Sequence, residues 1–184
     1  MRRAGSPMYS GKTLERQLGE SVRACGGVYF RLVDSTFIVK GATMSRKSSA
    51  DAFVFIPKDE VVHVVLAECK AEGTKSISFD RLAPHQEDAL LDMEKPHDLC
   101  HGVVVVNFYD NVDVRRMNRL FMVPIKAWVE ERDLGKRKSL SISDCENDIS
   151  IVECDREAPS WNLKPWVDSL IQKEEQHGYE GQTS

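Results

Sequence analysis

The spacing of apolar positions changes several times along the chain, and each change marks a new element. Leu14, Leu18 and Val22 recur every four residues, which predicts a helix over 10–25 that Gly26-Gly27 closes. Residues 28–33, VYFRLV, read as a strand, 37–39 continue the β character, and 41–50, GATMSRKSSA, read as a polar, basic loop. A strand over 51–56, a turn at 57–60 (PKDE) and a second strand over 61–70 follow. The second strand is almost continuously apolar, the mark of a central position in a sheet. After a loop over 71–83, Pro84 opens a helix that ends before Pro96. Residues 102–108 (GVVVVNF) form a buried strand, 120–123 a shorter one and 124–133 a helix. Residues 135–160 are polar and irregular, with a weak strand at 149–152, and 161–173 predict a last helix that packs Trp161 and Trp166 on the body. The order α-β-β-β-α-β-β-α implies an α/β domain, a mixed β-sheet flanked by helices. Residues 1–9 read as a disordered basic tail, 10–134 as the core, and 135–184 as an extension packed on it and frayed from Glu174.

Composition narrows the class. The chain has 184 residues, 41% hydrophobic and 29% charged, as expected of one soluble domain. No apolar run approaches the ~20 residues that span a bilayer, so no membrane partner is expected. The opening MRRAGSPMYSGK is basic but lacks an apolar stretch, which argues against a secretory signal. Five cysteines without a CxxC pair argue against a disulfide scaffold or a zinc ribbon and suit a reducing cytoplasm. Cys100-His101, Cys145 and Cys154 lack ligand spacing and read as free thiols and a surface histidine. The net charge is −4, unevenly spread: residues 1–50 carry nine Lys/Arg against three Asp/Glu (+6), and residues 51–184 carry 16 against 26 (−10). The first part can present a basic, phosphate-facing surface, although a solvated tail with scattered charge gives the same count.

The chemistry concentrates at the end of the strand VVHVVLAECK. Glu68 and Lys70 are two residues apart, so both point to one face of the sheet. Charge beside a buried strand needs a partner, and an ion pair at the strand end is one solution. Asp51 suggests a second. If 57 pairs with 60, Asp51 faces Leu66 and Glu68 is its diagonal neighbour, roughly 7–8 Å away. Two carboxylates so placed can share a divalent cation. A slip of one residue would turn Asp51 to the wrong face.

Asp51 followed by Glu68-Cys69-Lys70 resembles the D…(D/E)xK signature of the restriction-endonuclease-like nucleases. The surrounding residues resemble the RecU-type Holliday-junction resolvases, particularly their phage-encoded relatives. These stretches are Gly11-Lys12-Thr13-Leu14-Glu15, 28–35 (VYFRLVDS), Ser49-Ala50-Asp51, 68–79 (ECKAEGTKSISF) and Pro84-His85-Gln86. The likeness covers about 10–130.

This resemblance implies a restriction-endonuclease-like core over 10–134 and a Mg²⁺- or Mn²⁺-dependent endonuclease that resolves four-way DNA junctions in recombination and repair. It implies Asp51, Glu68 and the Cys69 backbone carbonyl as metal ligands, a set of hard oxygens suited to those ions. Lys70 would orient the nucleophile or stabilise phosphate charge. Glu15 would add an acidic group from the first helix, with Glu20 its rival. Gln86 is either a contact near Lys70 or an amide that satisfies local backbone; His85, turned away, has no expected role. Lys12, Arg46, Lys47, Ser48, Lys75, Ser76 and Arg81 are candidates for DNA phosphate contacts, or ordinary surface groups. Paired nicks need two active sites, hence a C2 homodimer. A bacterial or phage-infected cytoplasm is the setting. A sequence-specific restriction or repair endonuclease, and a non-catalytic DNA-binding module on the same fold, are the alternatives.

Overall fold

The Leu14-Leu18-Val22 stripe folds as expected: helix α1 spans Gly11–Ala24 and buries all three side chains. Two glycines end it. Gly26 takes φ +82°, and the N–H groups of Gly26 and Gly27 return to the carbonyls of Arg23 and Val22. That is the Schellman closure, which needs a residue at ease with positive φ. The structure is a computed structural model and describes residues 11–39, 42–46, 48–58, 60–110, 113 and 117–177. The basic stretch 1–9 lies outside them.

Strands β1 (Val28–Arg31), β2 (Ser35–Val39), β3 (Ala42–Arg46), β4 (Ala52–Lys58), β5 (Val61–Glu72) and β6 (Ser76–Ser78) follow α1. Then come α2 (Pro84–Met93), β7 (Cys100–Tyr109), β8 (Asn118–Pro124), α3 (Ile125–Asp133), β9 (Ser139–Ser141) and α4 (Ile142–Asn147). The last elements are β10 (Val152–Cys154), β11 (Arg156–Glu157), β12 (Ser160–Trp161) and α5 (Lys164–His177).

Six strands form one sheet in the order β1-β4-β5-β7-β8-β10. β5 and β7 pair in parallel and the other neighbours antiparallel, so the sheet is mixed. Strand alternation sends Val65, Ala67 and Cys69 to a face covered by α1 and by Trp161, Trp166 and Leu170. Leu66, Val104 and Val106 face the other way, onto Leu90 of α2 and onto Trp128 of α3, which meets Phe79 edge to face at 5.0 Å. Helices thus flank the sheet on both faces. α2 comes so near β7 that a Cβ on Gly102 would lie 2.1 Å from the Leu90 carbonyl oxygen, so only glycine fits there.

Several boundaries differ from the sequence reading, each for a local reason. Residues 42–46, expected in a loop, pair with 35–39 as a separate two-stranded hairpin. A hairpin outside the main sheet can form by backbone bonding without the apolar alternation that signals a core strand. Pro57 and Lys58, expected in a turn, extend β4 and pair with Val62 and Val61. Pro57 is tolerated because β1 pairs β4 only as far as Phe55, so no neighbour on that side needs its missing N–H. The register therefore moves by two residues: Ala52 pairs with Ala67, where the pairing with β5 ends, and the Asp51 N–H bonds to the Ala67 carbonyl instead of Asp51 facing Leu66. A shift of two leaves the faces of the paired residues as expected. The loop 71–83 holds β6, which pairs with β9, and a short 3₁₀ turn over Phe79–Arg81. The irregular region 135–160 contains α4, and β10 there joins the main sheet as its outer strand. Trp161 belongs to β12, so the last helix begins at Lys164 and runs to His177. Among the described residues no helix is long and apolar enough to cross a membrane.

Candidate active site

β5 outlasts its neighbour. Its pairing with β4 stops at Ala67, while its pairing with β7 continues to Glu72. Glu68 and Lys70 lie on this overhang and face α2, and Asp51 stands just before β4 begins. The Asp51 N–H donates to the Ala67 carbonyl at 3.1 Å, and its carboxylate Oδ2 accepts the Cys69 N–H at 2.8 Å. The N–H and C=O of a strand residue point to the same side. The Cys69 carbonyl is therefore presented toward Asp51 as well.

Glu68 is 3% exposed. Its Oε1 accepts two hydrogen bonds, from Lys70 Nζ at 2.6 Å and from Gln86 Nε2 at 2.8 Å. Its Oε2 is buried and has no hydrogen-bond partner among the described residues. Burial and then the negative charge of Asp51 push the Glu68 carboxyl up to about 7, against the pull of Lys70 and Gln86. Asp51 is also raised, chiefly by burial, with Glu15 adding to the rise and the Cys69 N–H opposing it.

Gln86 contacts both Lys70 and the local backbone. Its Oε1 accepts from the Ala83 N–H at 3.1 Å, capping α2, and from Lys70 Nζ at 3.3 Å, while its amide nitrogen holds Glu68. Glu15 reaches the same neighbourhood from α1, where Arg31 Nε holds its Oε2 at 2.6 Å. The charge of Glu15 acts on Asp51; Glu20 pairs with Arg16 at 2.9 Å. His85 is exposed.

The expected DNA contacts divide. Lys75 and Ser76 are exposed just past the β5 overhang, and Ser48 lies three residues before Asp51, its N–H bound to Asp34 Oδ1 at 2.7 Å. Lys12 is exposed on the first turn of α1. Arg81 is engaged by Glu72 at 3.4 Å. Arg46 ends β3, and Lys47 lies outside the described residues. Cys100 is partly buried, Cys145 and Cys154 are buried, and all are free thiols. His101, expected at the surface, instead approaches buried His63, Nδ1 to Nε2 3.0 Å, across the parallel strands β5 and β7.

Two residues that join the site are not evident in the sequence. Tyr29 and Arg31 alternate along β1 toward α1, the tyrosine ring lying where a Cβ on Gly19 would approach within 3.1 Å. The Tyr29 hydroxyl is buried with no partner among the described residues. Burial, then Cys69, Glu15 and Asp51, raise its pKa. The usable signal was the i, i+2 pairing of Tyr29 with a charged residue on a strand leading to Asp51. An unsatisfied buried hydroxyl costs stability, so Tyr29→Phe should leave the protein as stable as wild type or more stable by about 1 kcal/mol. Urea unfolding checks this; a lower midpoint would mean that the hydroxyl has a stabilising partner.

Among the described residues no three His, Cys, Asp or Glu side chains converge as a metal cage. The donors at hand are two carboxylates and a backbone carbonyl. They suit an ion that keeps several waters, as Mg²⁺ does, better than Zn²⁺. The unpartnered Glu68 Oε2 and the mutual repulsion of Glu68 and Asp51 fit a bound cation at this place. In sequence, no family model and no curated protein matches the chain.

Proposed function

We propose that this protein is a divalent-cation-dependent DNA endonuclease with a restriction-endonuclease-like core, selective for four-way junctions. The observation that carries the reading is the buried Glu68 carboxylate. One oxygen is shared by Lys70 and Gln86, the other has no partner among the described residues, and Asp51 lies beside it. Asp51, Glu68 and the Cys69 carbonyl would hold Mg²⁺ or Mn²⁺. Such an ion, when bound, lowers the pKa of water and draws charge from a phosphate.

The chain's own groups do the rest. Gln86 holds Glu68 through Oε1, which would leave Oε2 free to bind an ion. Lys70 neutralises Glu68 when no ion is present and has a proton-rich head at the place where phosphate charge builds up. Arg31 holds Glu15 beside Asp51 and brings a second cation to the site. Lys75, Ser76, Ser48 and Lys12 would carry the DNA backbone past it.

Two nicks on one junction call for two copies. β1 offers an edge for a second chain: it is the outer strand of the sheet, Val28 and Phe30 are about half exposed, and Phe30 packs edge to face on Phe55. The test is cleavage of a labelled four-way junction and a matched duplex in Mg²⁺, Mn²⁺ or EDTA. Paired, metal-dependent nicks in the junction alone are expected, with binding that weakens as salt rises. Equal cutting of the duplex would overturn the junction selectivity; no cutting in any metal would overturn the enzyme.

A further inference from the structure

Next to the candidate site, the described residues cover the α2 side of the sheet incompletely. The sequence places Ala89, Leu90 and Met93 on one apolar stripe, yet α2 buries only Leu90. Ala89 and Met93 stay partly exposed and, with Phe53 and Leu66, line an open groove of about 680 Å³. Ser48 and Asp92 stand on its rim.

This groove continues the site. Leu66, Glu68 and Lys70 alternate along one face of β5, and Ala89 and Met93 follow Gln86 along α2 at helical spacing. Two residues of strand cover about 7 Å and one helical turn about 5 Å. The groove therefore opens within one nucleotide's reach of Glu68 and Lys70. Its described lining is mostly apolar and suits a neutral group. Among the described residues that line it, the one acid, Asp92, is met by Lys95 Nζ at 2.5 Å. The Phe53 ring is braced by Phe55 at 6.5 Å, which is itself braced by Phe30.

We propose that the groove takes one unpaired nucleobase of the cut strand, stacked on Phe53, while the adjoining phosphate lies at Glu68 and Lys70. This inference rests on the nuclease reading above. Aromatic side chains bind unpaired bases through their π faces whatever the sequence. A base in intact duplex is stacked and paired and cannot enter; a strand at a branch point can release one. The groove would then couple the shape of the DNA to the position of the cut.

The experiment uses full-length protein and four-way junctions with 2-aminopurine, a base whose fluorescence reports its stacking, placed in turn at each position flanking the cut. In EDTA, wild type should change the fluorescence at one position only. Ala89→Leu, which fills the groove, should abolish that change while junction affinity stays within about threefold and Mg²⁺-dependent cutting falls about tenfold. Removing the base at that position should slow wild type about tenfold as well, and should not slow Ala89→Leu further, because the two changes delete one interaction. Phe53→Leu keeps an apolar floor without the π face and should behave as Ala89→Leu does; circular dichroism confirms that both variants fold. Cutting by wild type with no fluorescence change at any position, or with additive penalties, overturns the groove and leaves the nuclease standing. Failure to bind or cut any junction overturns both.

Discussion

Glu68→Gln should cut a four-way junction in Mg²⁺ on the order of 10³-fold or more slowly than wild type, while folding at least as well at pH 8. The two halves of this expectation have one cause. The Lys70 ammonium and the Gln86 amide both donate to a single oxygen, Glu68 Oε1. A glutamine carbonyl can accept both bonds, so the local packing survives. What is lost is the negative charge and the second oxygen, which is buried and has no partner among the described residues. Removing a buried charge of that kind relieves desolvation instead of adding to it. Asp51→Asn should abolish cutting equally. Its cost in stability should stay small only if the new amide turns its oxygen to the Cys69 N–H that Asp51 Oδ2 now holds at 2.8 Å. Rates on labelled junctions and thermal unfolding of the same samples decide the matter. A Glu68→Gln protein that cuts at the wild-type rate would sink the assignment, and one that fails to fold would show that the carboxylate is structural.

Much of this site is legible in the sequence because strand alternation is a strict rule. Glu68 and Lys70 had to share a face, and both meet Gln86 of α2, although the hairpin register was two residues off. The offset came from Pro57, read as a turn residue but placed in β4 beyond the reach of β1. Contacts across long loops were less accessible. Nothing in the spacing of Glu15 and Arg31 announces an ion pair between α1 and β1, and Tyr29 reads as one more apolar strand position. The apolar spacing of Ala89, Leu90 and Met93 along α2 shows a different limit. Periodicity reports which side of a helix is apolar; it does not report whether the sheet beneath is wide enough to cover it. Ala89 and Met93 thus look like core in the sequence and line a groove in the fold. The short strands β6, β9 and β10 carry too few residues for any period to show, and only their partners define them.

Without divalent cations, stability should fall as pH rises from about 4.5 to about 7, and Mg²⁺ should remove most of that loss. In this window the folded Glu68, whose carboxyl is raised to about 7, keeps a proton that the unfolded chain, titrating at 4.5, has already released. The folded state then binds more protons than the unfolded one, so raising the pH favours unfolding. The penalty is complete above about pH 7 and is on the order of 3 kcal/mol, because burial and the charge of Asp51 oppose ionisation. Asp51, also raised, adds a slope of the same sign. Asp133, Asp144 and Asp168 are lowered by their partners and act in the opposite sense, but their stabilisation is lost only as pH falls below the ordinary carboxylate range. Their effect therefore lies below the window between 4.5 and 7, in which Glu68 and Asp51 give the downward slope. A cation competes with the Glu68 proton, so Mg²⁺ affinity and cutting should rise together with pH and level off near 7. Denaturant unfolding from pH 5 to 8, in EDTA and in Mg²⁺, measures the slope, and Glu68→Gln should flatten most of it. If wild type and Glu68→Gln give parallel curves in EDTA, the proton resides elsewhere. If the curves differ and Mg²⁺ leaves wild type unchanged, Glu68 titrates as described but does not hold the ion, and the electrostatic case for a metal centre at this strand end is withdrawn.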